Sequence, residues 1–260
     1  MRESDGWQPT RAHPVWAWAV ALLAVLPLAV LPVRAAAEVW RAPALLPQQL
    51  GARGLAVLTD TGTRVSEAVT TSLLVALLTT GLALVLGWPA ARLLATAPTR
   101  RRLVAFAVIG LPLLVPPYAV GTGLATWLLR LGMADTVTGL VSAHLVYVLP
   151  YVVLTLTPAF GRELRRQEEA ARTLGAGASS RWWLITLPAT APATALAGLL
   201  GFLVSWSQYG TSLAVGGGRL TLPIVLLPFV ERDPQVAATL ALVFLLPPVV
   251  ALMAVHRSWR

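Results

Sequence analysis

The sequence contains no cysteine and no lysine; every basic side chain apart from histidine is an arginine. Without cysteine there are no disulfides and no thiolate metal sites. Without lysine there is no P-loop, whose lysine must reach the β- and γ-phosphates of a nucleotide. Charge of either sign is also scarce. Asp, Glu, Lys and Arg together make 12% of the chain, too little to cover a water-soluble domain of this size. The acidic residues (Glu3, Asp5, Glu38, Asp60, Glu67, Asp135, Glu163, Glu168, Glu169, Glu231 and Asp233) fall in loops or at the edges of apolar segments. The buried carboxylates of an ion-coupled carrier are therefore missing. No histidine–carboxylate cluster is visible either, which leaves an enzyme without an evident catalytic group.

What the chain does have is apolar residues, 57% of its 260 positions. They come in blocks of about 20, the length a helix needs to cross roughly 30 Å of hydrocarbon. Six spans are predicted: Val15–Val33, Val69–Ala90, Leu103–Val120, Val137–Thr157, Ala189–Ser207 and Val236–Val255. The fold class is thus an all-α integral membrane protein. Thr221–Val230 is apolar but too short to span, and is read as capping one mouth or leading into the last helix. Trp16, Trp18, Trp88, Trp182, Trp183 and Trp206 lie near span ends, where an indole suits the membrane–water boundary. The first apolar run is longer than the 7–15 residues of a signal-peptide core, so it is read as a retained helix.

A net charge of +9 would suit a nucleic-acid partner, but these arginines sit in short loops rather than along one face of a soluble element. Their distribution fixes an orientation instead. With the N-terminus inside, the inner segments hold Arg2, Arg11, Arg92, Arg100, Arg101, Arg102, Arg162, Arg165, Arg166, Arg172, Arg181, Arg257 and Arg260. The outer ones hold only Arg34, Arg41, Arg53, Arg64, Arg130, Arg219 and Arg232. Both termini are expected in the cytoplasm. Pro112, Pro116, Pro117, Pro150, Pro192, Pro247 and Pro248 fall inside spans, where each removes a backbone hydrogen bond and bends the helix.

The longest inner loop, from about Phe160 to Pro188, is rich in charge. Arg162 to Leu174 suits a short helix with Leu164, Ala171 and Leu174 on one face and Arg165, Glu169 and Arg172 on another. Gly175-Ala176-Gly177 should end it, because glycine adopts a positive φ cheaply. Ser179 or Ser180 is expected to cap a second short helix through Trp183, and Pro188 fits the first turn of the fifth span.

Within this loop Glu169, Ala170, Ala171, Gly175, Ile185, Leu187 and Pro188 reproduce, at every spacing, the EAA motif of binding-protein-dependent ABC importer permeases. Leu111-Pro112 and Pro116-Pro117 resemble that family's proline-rich third helix; Trp206-Ser207-Gln208-Tyr209 and Thr221-Leu222-Pro223 resemble its signature after the fifth. The resemblance implies a type I importer, methionine-permease-like bundle of six transmembrane helices in a bacterial cytoplasmic membrane. Its parts would be a tail over 1–14, an additional first helix over 15–33, an outer loop over 34–68, a core over 69–255 with its coupling loop at 160–188, and a tail over 256–260. The loop would dock on an ATPase subunit, Glu169 pairing with a basic residue there and Gly175 permitting the turn. The implied partners are an ABC ATPase dimer, an extracytoplasmic solute-binding protein, a second permease copy or paralogue, and membrane lipid, with no nucleic acid. ATP and Mg would sit on the ATPase, with no cofactor, metal or catalytic group on this chain. The family resemblance leans towards iron, polyamine, thiamine or a related small solute.

Polar groups inside the spans mark candidates for the translocation path: Thr79 and Thr80, His144 and Tyr147, and Ser205, Ser207 and Gln208. Helix packing is the more ordinary role for each of them. Gln208 is the preferred pore residue. His144 is read as an interhelical hydrogen-bonding side chain, since a proton relay needs an acidic or second histidine partner.

Overall fold

The computed structural model describes residues 14–258; Arg2, Glu3, Asp5, Arg11 and Arg260 lie outside them. Helix α1 (Pro14–Ala35) is followed by a two-stranded antiparallel hairpin, β1 (Ala37–Val39) and β2 (Gln49–Leu50), and a short α2 (Arg53–Ala56). The long α3 (Val65–Thr96), α4 (Thr99–Gly110), α5 (Pro117–Arg130) and α6 (Val137–Leu156) come next. After α6 come α7 (Arg162–Thr173), α8 (Ala178–Arg181), α9 (Leu187–Trp206), α10 (Gly210–Val215), α11 (Leu222–Arg232) and α12 (Pro234–Ser258). Five of these helices are long and apolar enough to cross a membrane, six if one bent pair counts as a span.

That bent pair corrects the reading of the third span. Leu103–Val120 is not one helix: α4 runs into a 3-10 turn at Leu111–Leu114, and α5 leaves at 97° to it. The local chemistry explains the break. Val115 precedes Pro116, which precedes Pro117, and a residue before proline is pushed out of the helical region. Val115 and Pro116 accordingly have ψ near the extended value, 134° and 135°. Pro150, Pro192, Pro247 and Pro248 instead lie inside continuous helices.

The bundle is centred on α3, α6 and α9, and small residues let these helices approach. A Cβ added at Gly87 on α3 would stand 2.6 Å from a Val152 methyl on α6. One at Gly201 on α9 would stand 3.1 Å from Val148, also on α6. Such close contact is how membrane helices gain dispersion energy where lipid tails are as apolar as leucine. Trp206, the last residue of α9, faces inward and not to the bilayer surface. It is 2% exposed, stacked between Phe202 and Phe244, and its Nε1–H donates to the Phe244 carbonyl at 2.9 Å. Trp88 and Trp182 meet edge-on, with Phe160 against Trp88. Trp16, Trp18 and Trp183 do face outward.

Chain direction gives the bundle two distinct ends. The last turn of α1 meets the first turn of α12, where Gln235 Nε2 donates to the Ala35 carbonyl at 3.2 Å and to that of Gly51 at 2.9 Å. This is the hairpin end. The last turns of α3 reach α7 at the opposite end, through Arg92 and Glu168. Both α1 at its start and α12 at its finish therefore lie towards the α7 end.

Candidate functional site

The α7 end presents the motif residues on a shaped surface. Helix α7 stops through paired reverse bonds: Gly175 N–H donates to the Arg172 carbonyl at 3.1 Å and Ala176 N–H to that of Ala171 at 2.9 Å. Gly175 has φ +86°, which a side chain would strain although the space around it is open. Arg181 Nη1 then donates to the Ala176 carbonyl at 2.6 Å and fixes the exit from the turn. Glu169, Ala170 and Gly175 are exposed, and Ala171 is half-buried. Leu164 is buried, but Leu174, placed on the same face by the sequence reading, lies past the helix end and is 87% exposed. It adds an apolar knob beside the motif instead of joining the Leu164 face.

The second half of the loop differs from the sequence reading. Ser179 and Ser180 lie within α8 and cap nothing; Gly177 precedes the helix without a side-chain cap. Residues Trp182–Thr186 form a π-turn that joins α8 to α9, so Ala178 to Trp206 is one continuous helical run. A π-turn absorbs one extra residue without ending the helix. Ile185 packs on a buried cluster that includes Val152, Leu156 and Phe160, and Leu187-Pro188 opens α9 proper, the proline in its first turn. The motif thus continues directly into a transmembrane helix.

Of the two consecutive carboxylates, the motif residue Glu169 faces out while Glu168 is held inside. Glu168 accepts from Arg92 Nη2 at 3.1 and 3.0 Å and from Thr186 Oγ1. Neither Arg92 nor Thr186 carries a sequence signal, because the contact spans α3, α7 and the π-turn.

Halfway along α6 is a cavity of about 290 Å³ whose walls include Val115, Pro117, Tyr147, Tyr151, Ser207 and Gln208. Three of the predicted pore residues, Tyr147, Ser207 and Gln208, therefore come together. The break in the third span forms part of the wall, and Tyr147 Oη donates to the Val115 carbonyl at 2.9 Å. Gln208 Oε1 accepts from Thr211 Oγ1 at 3.2 Å, leaving its NH2 without a protein partner among the described residues. Tyr151, which sequence reasoning missed, has a hydroxyl equally without one; its spacing of four from Tyr147 was the available signal.

The other four candidates do not line this cavity. His144 Nε2 bonds Ser212 Oγ and Nδ1 bonds Ser205 Oγ, both at 2.9 Å. Ser212 gives its own proton to the Gln208 carbonyl at 2.6 Å, so it accepts from Nε2–H. In a neutral ring Nδ1 then accepts from Ser205. Either way the imidazole clamps α6 to α9 and α10. Thr80 Oγ1 donates to the Ala76 carbonyl at 2.7 Å, and Thr79 is fully buried with Oγ1 unpartnered. Among the described residues no three of His, Asp and Glu gather around a possible metal ion.

At the hairpin end, Arg53 bridges Glu38 (3.0 Å) and Asp233. Burial alone would raise the Asp233 pKa, but hydrogen bonding to Arg53 and to the Val236 N–H overrides it and holds the carboxyl below its usual range. The same bonds to Asp233 and Glu38 raise Arg53.

With this geometry established, comparison with known proteins gives a consistent answer. No protein-family model matches the chain. It is 36% identical over 163 residues to the molybdenum transport system permease protein ModB of Azotobacter vinelandii, covering 58% of this chain and 72% of that protein. It is 29% identical over 260 residues to a probable sulfate transport system permease protein cysT of Nephroselmis olivacea, covering 93% and 88%. The fold matches a chain in the crystal structure of a bacterial ABC transporter that imports the acidic polysaccharide alginate, with TM-score 0.63 at 16% identity over 97% of this chain and 99% of the other. A long-helix bundle with an exposed EAA loop, matched by such relatives over most of their length, is a multi-pass ABC transporter permease, the membrane subunit of an importer and not an enzyme.

Proposed function

We propose that the α7 end lies in the cytoplasm, and that Glu169, Ala170, Ala171, Gly175 and the exposed Leu174 seat in a cleft on one subunit of an ABC ATPase dimer. ATP and Mg bind there, and closure of the dimer displaces α7. Because Ala178–Trp206 is one helical run, that displacement, once past the Gly175 turn, reaches the centre of the membrane without a further break. An extracytoplasmic binding protein delivers solute at the hairpin end. A second copy or paralogue completes the path beside Tyr147, Tyr151, Ser207 and Gln208.

The observation that carries this reading is the cavity halfway along α6, whose walls offer uncharged donors, the Gln208 amide and the Tyr151 hydroxyl. Neutral donors suit a small oxyanion in transit, since a fixed guanidinium would hold it tightly. Relatives named for molybdenum and sulfate support an oxyanion in place of the iron, polyamine or thiamine that the sequence resemblance leans towards. The test is uptake into proteoliposomes carrying the permease, its ATPase and its binding protein, comparing labelled molybdate, sulfate and trehalose. ATP-dependent uptake of an oxyanion, lowered at least fivefold by Gln208→Leu with the ATPase still bound, is the expected outcome. Uptake without ATP or without the binding protein would contradict it.

A further inference from the structure

Glu168 differs from its neighbour Glu169 in every physical respect except its chemistry. Its side chain is only 18% exposed, and its two oxygens take donors from α3 and from the π-turn that leads into α9. Arg92 comes from the last turns of α3, a helix that crosses the whole bundle. Thr186 is 1% exposed and ends the π-turn that feeds α9. Arg92 is also braced from its own helix: its guanidinium lies 5.9 Å from the Trp88 ring centre. That ring meets Phe160 at 4.7 Å and Trp182 at 4.4 Å, both edge-on. Segments far apart in sequence converge on one carboxylate at the base of the docking helix.

We infer that Glu168, Arg92 and Thr186 form a latch that makes α7 move as one body with α3 and α9, so that the stroke of the ATPase reaches two transmembrane helices rather than one. The latch rests on the reading that α7 docks the ATPase, and it is separable from it: Glu169 makes the outward contact, and Glu168 passes the motion inward. Without the latch, α7 remains tied to α9 through the Gly175 turn and α8, while its charged tie to α3 is lost. Glu168, Arg92 and Thr186 are positioning residues that touch neither solute nor nucleotide. A bond of this kind matters most when the docking helix is pulled, because an ion pair shared between two rigid elements resists their separation.

The test uses the assembled transporter in proteoliposomes, with labelled molybdate uptake and phosphate release measured together. Glu168→Gln and Thr186→Val should keep the ATPase bound yet lower molybdate carried per ATP at least tenfold and threefold respectively. The exchange Glu168→Arg with Arg92→Glu should recover at least a third of the lost ratio, which a merely structural defect would not allow. A substrate-independent measurement stands beside it, made simple by the absence of native cysteine. Spin labels at Thr96→Cys and Thr173→Cys should keep one separation on vanadate trapping of ATP, and should shift by more than about 3 Å under Glu168→Gln if the two helices part. A wild-type transport ratio in Glu168→Gln, or a label separation indifferent to that substitution, overturns the latch. Loss of the ATPase from Glu168→Gln also overturns it, by assigning the residue to docking. Retention of the ATPase by Glu169→Arg would instead refute the docking reading, whatever Glu168 does.

Discussion

A helix turns by about 100° per residue, so Glu168 and Glu169 leave α7 in different directions and meet different surroundings. Sequence alone gives both the same carboxylate on the same short helix; only the motif spacing singles out Glu169. His144 carries a comparable lesson. Its two ring nitrogens face Ser205 and Ser212, and the onward bond from Ser212 to the Gln208 carbonyl fixes which nitrogen holds the proton. The residue therefore ties helices together through both ring nitrogens, with hydroxyls as its partners. His144→Gln retains one donor and one acceptor, and should keep uptake within about threefold of wild type. His144→Leu strands Ser205 and Ser212 in the protein interior and should cost about 1–3 kcal/mol, read as a lower unfolding temperature in detergent. A loss of transport in His144→Gln with unaltered stability would revive a proton relay.

At the scale of elements, α5 and α10 lie so close that a Cβ at Gly121 would stand 2.7 Å from Ala214 Cβ and 3.2 Å from Thr211 Cα. Gly121→Leu should therefore destabilise the bundle by about 1–3 kcal/mol, while Gly123→Ala, with nothing within 4 Å, should be harmless. Equal unfolding temperatures would show that α5 does not press on α10. The hairpin end offers a pH test. Asp233 has a folded pKa below its unfolded value, so its pair with Arg53 contributes above the unfolded value and is lost as pH falls through the folded one. Arg53, whose pKa is raised, stays charged throughout this range. Hydrogen exchange of residues 37–50, corrected for intrinsic rates, should be unchanged from pH 8 to 5 and faster only below about pH 4. With Arg53 half exposed, the effect should stay under about 1 kcal/mol. A transition near pH 6.5 would contradict this account. Most spans were legible because a bilayer demands long apolar runs, and Pro116-Pro117 pointed to a bend in the third, read there as one span. The size of that bend was not legible, since it depends on α5 finding α10. The π-turn was hidden too, because nothing in Trp182–Thr186 distinguishes a widened turn from an ordinary one.

For the whole molecule, apolar side chains cover the outward surfaces of α1, α3, α4 and α12, as a surrounding bilayer requires. The polar devices are confined to three levels: the bridged hairpin end, the uncharged cavity halfway along α6 and the α7 end with its paired glutamates. Helices α3, α6 and α9 run between those levels, and past the Gly175 turn the EAA loop continues into α9 as one helical run. The central claim is that this loop is where an ATPase takes hold. Purifying the tagged chain from detergent-solubilised native membranes, beside Glu169→Arg and Gly175→Trp, tests it most directly. The account predicts a P-loop ATPase bound to the wild-type chain and lost from both variants, each of which keeps its unfolding temperature within a few degrees. An ATPase that stays with both variants, or none with the wild type even after cross-linking, would contradict it.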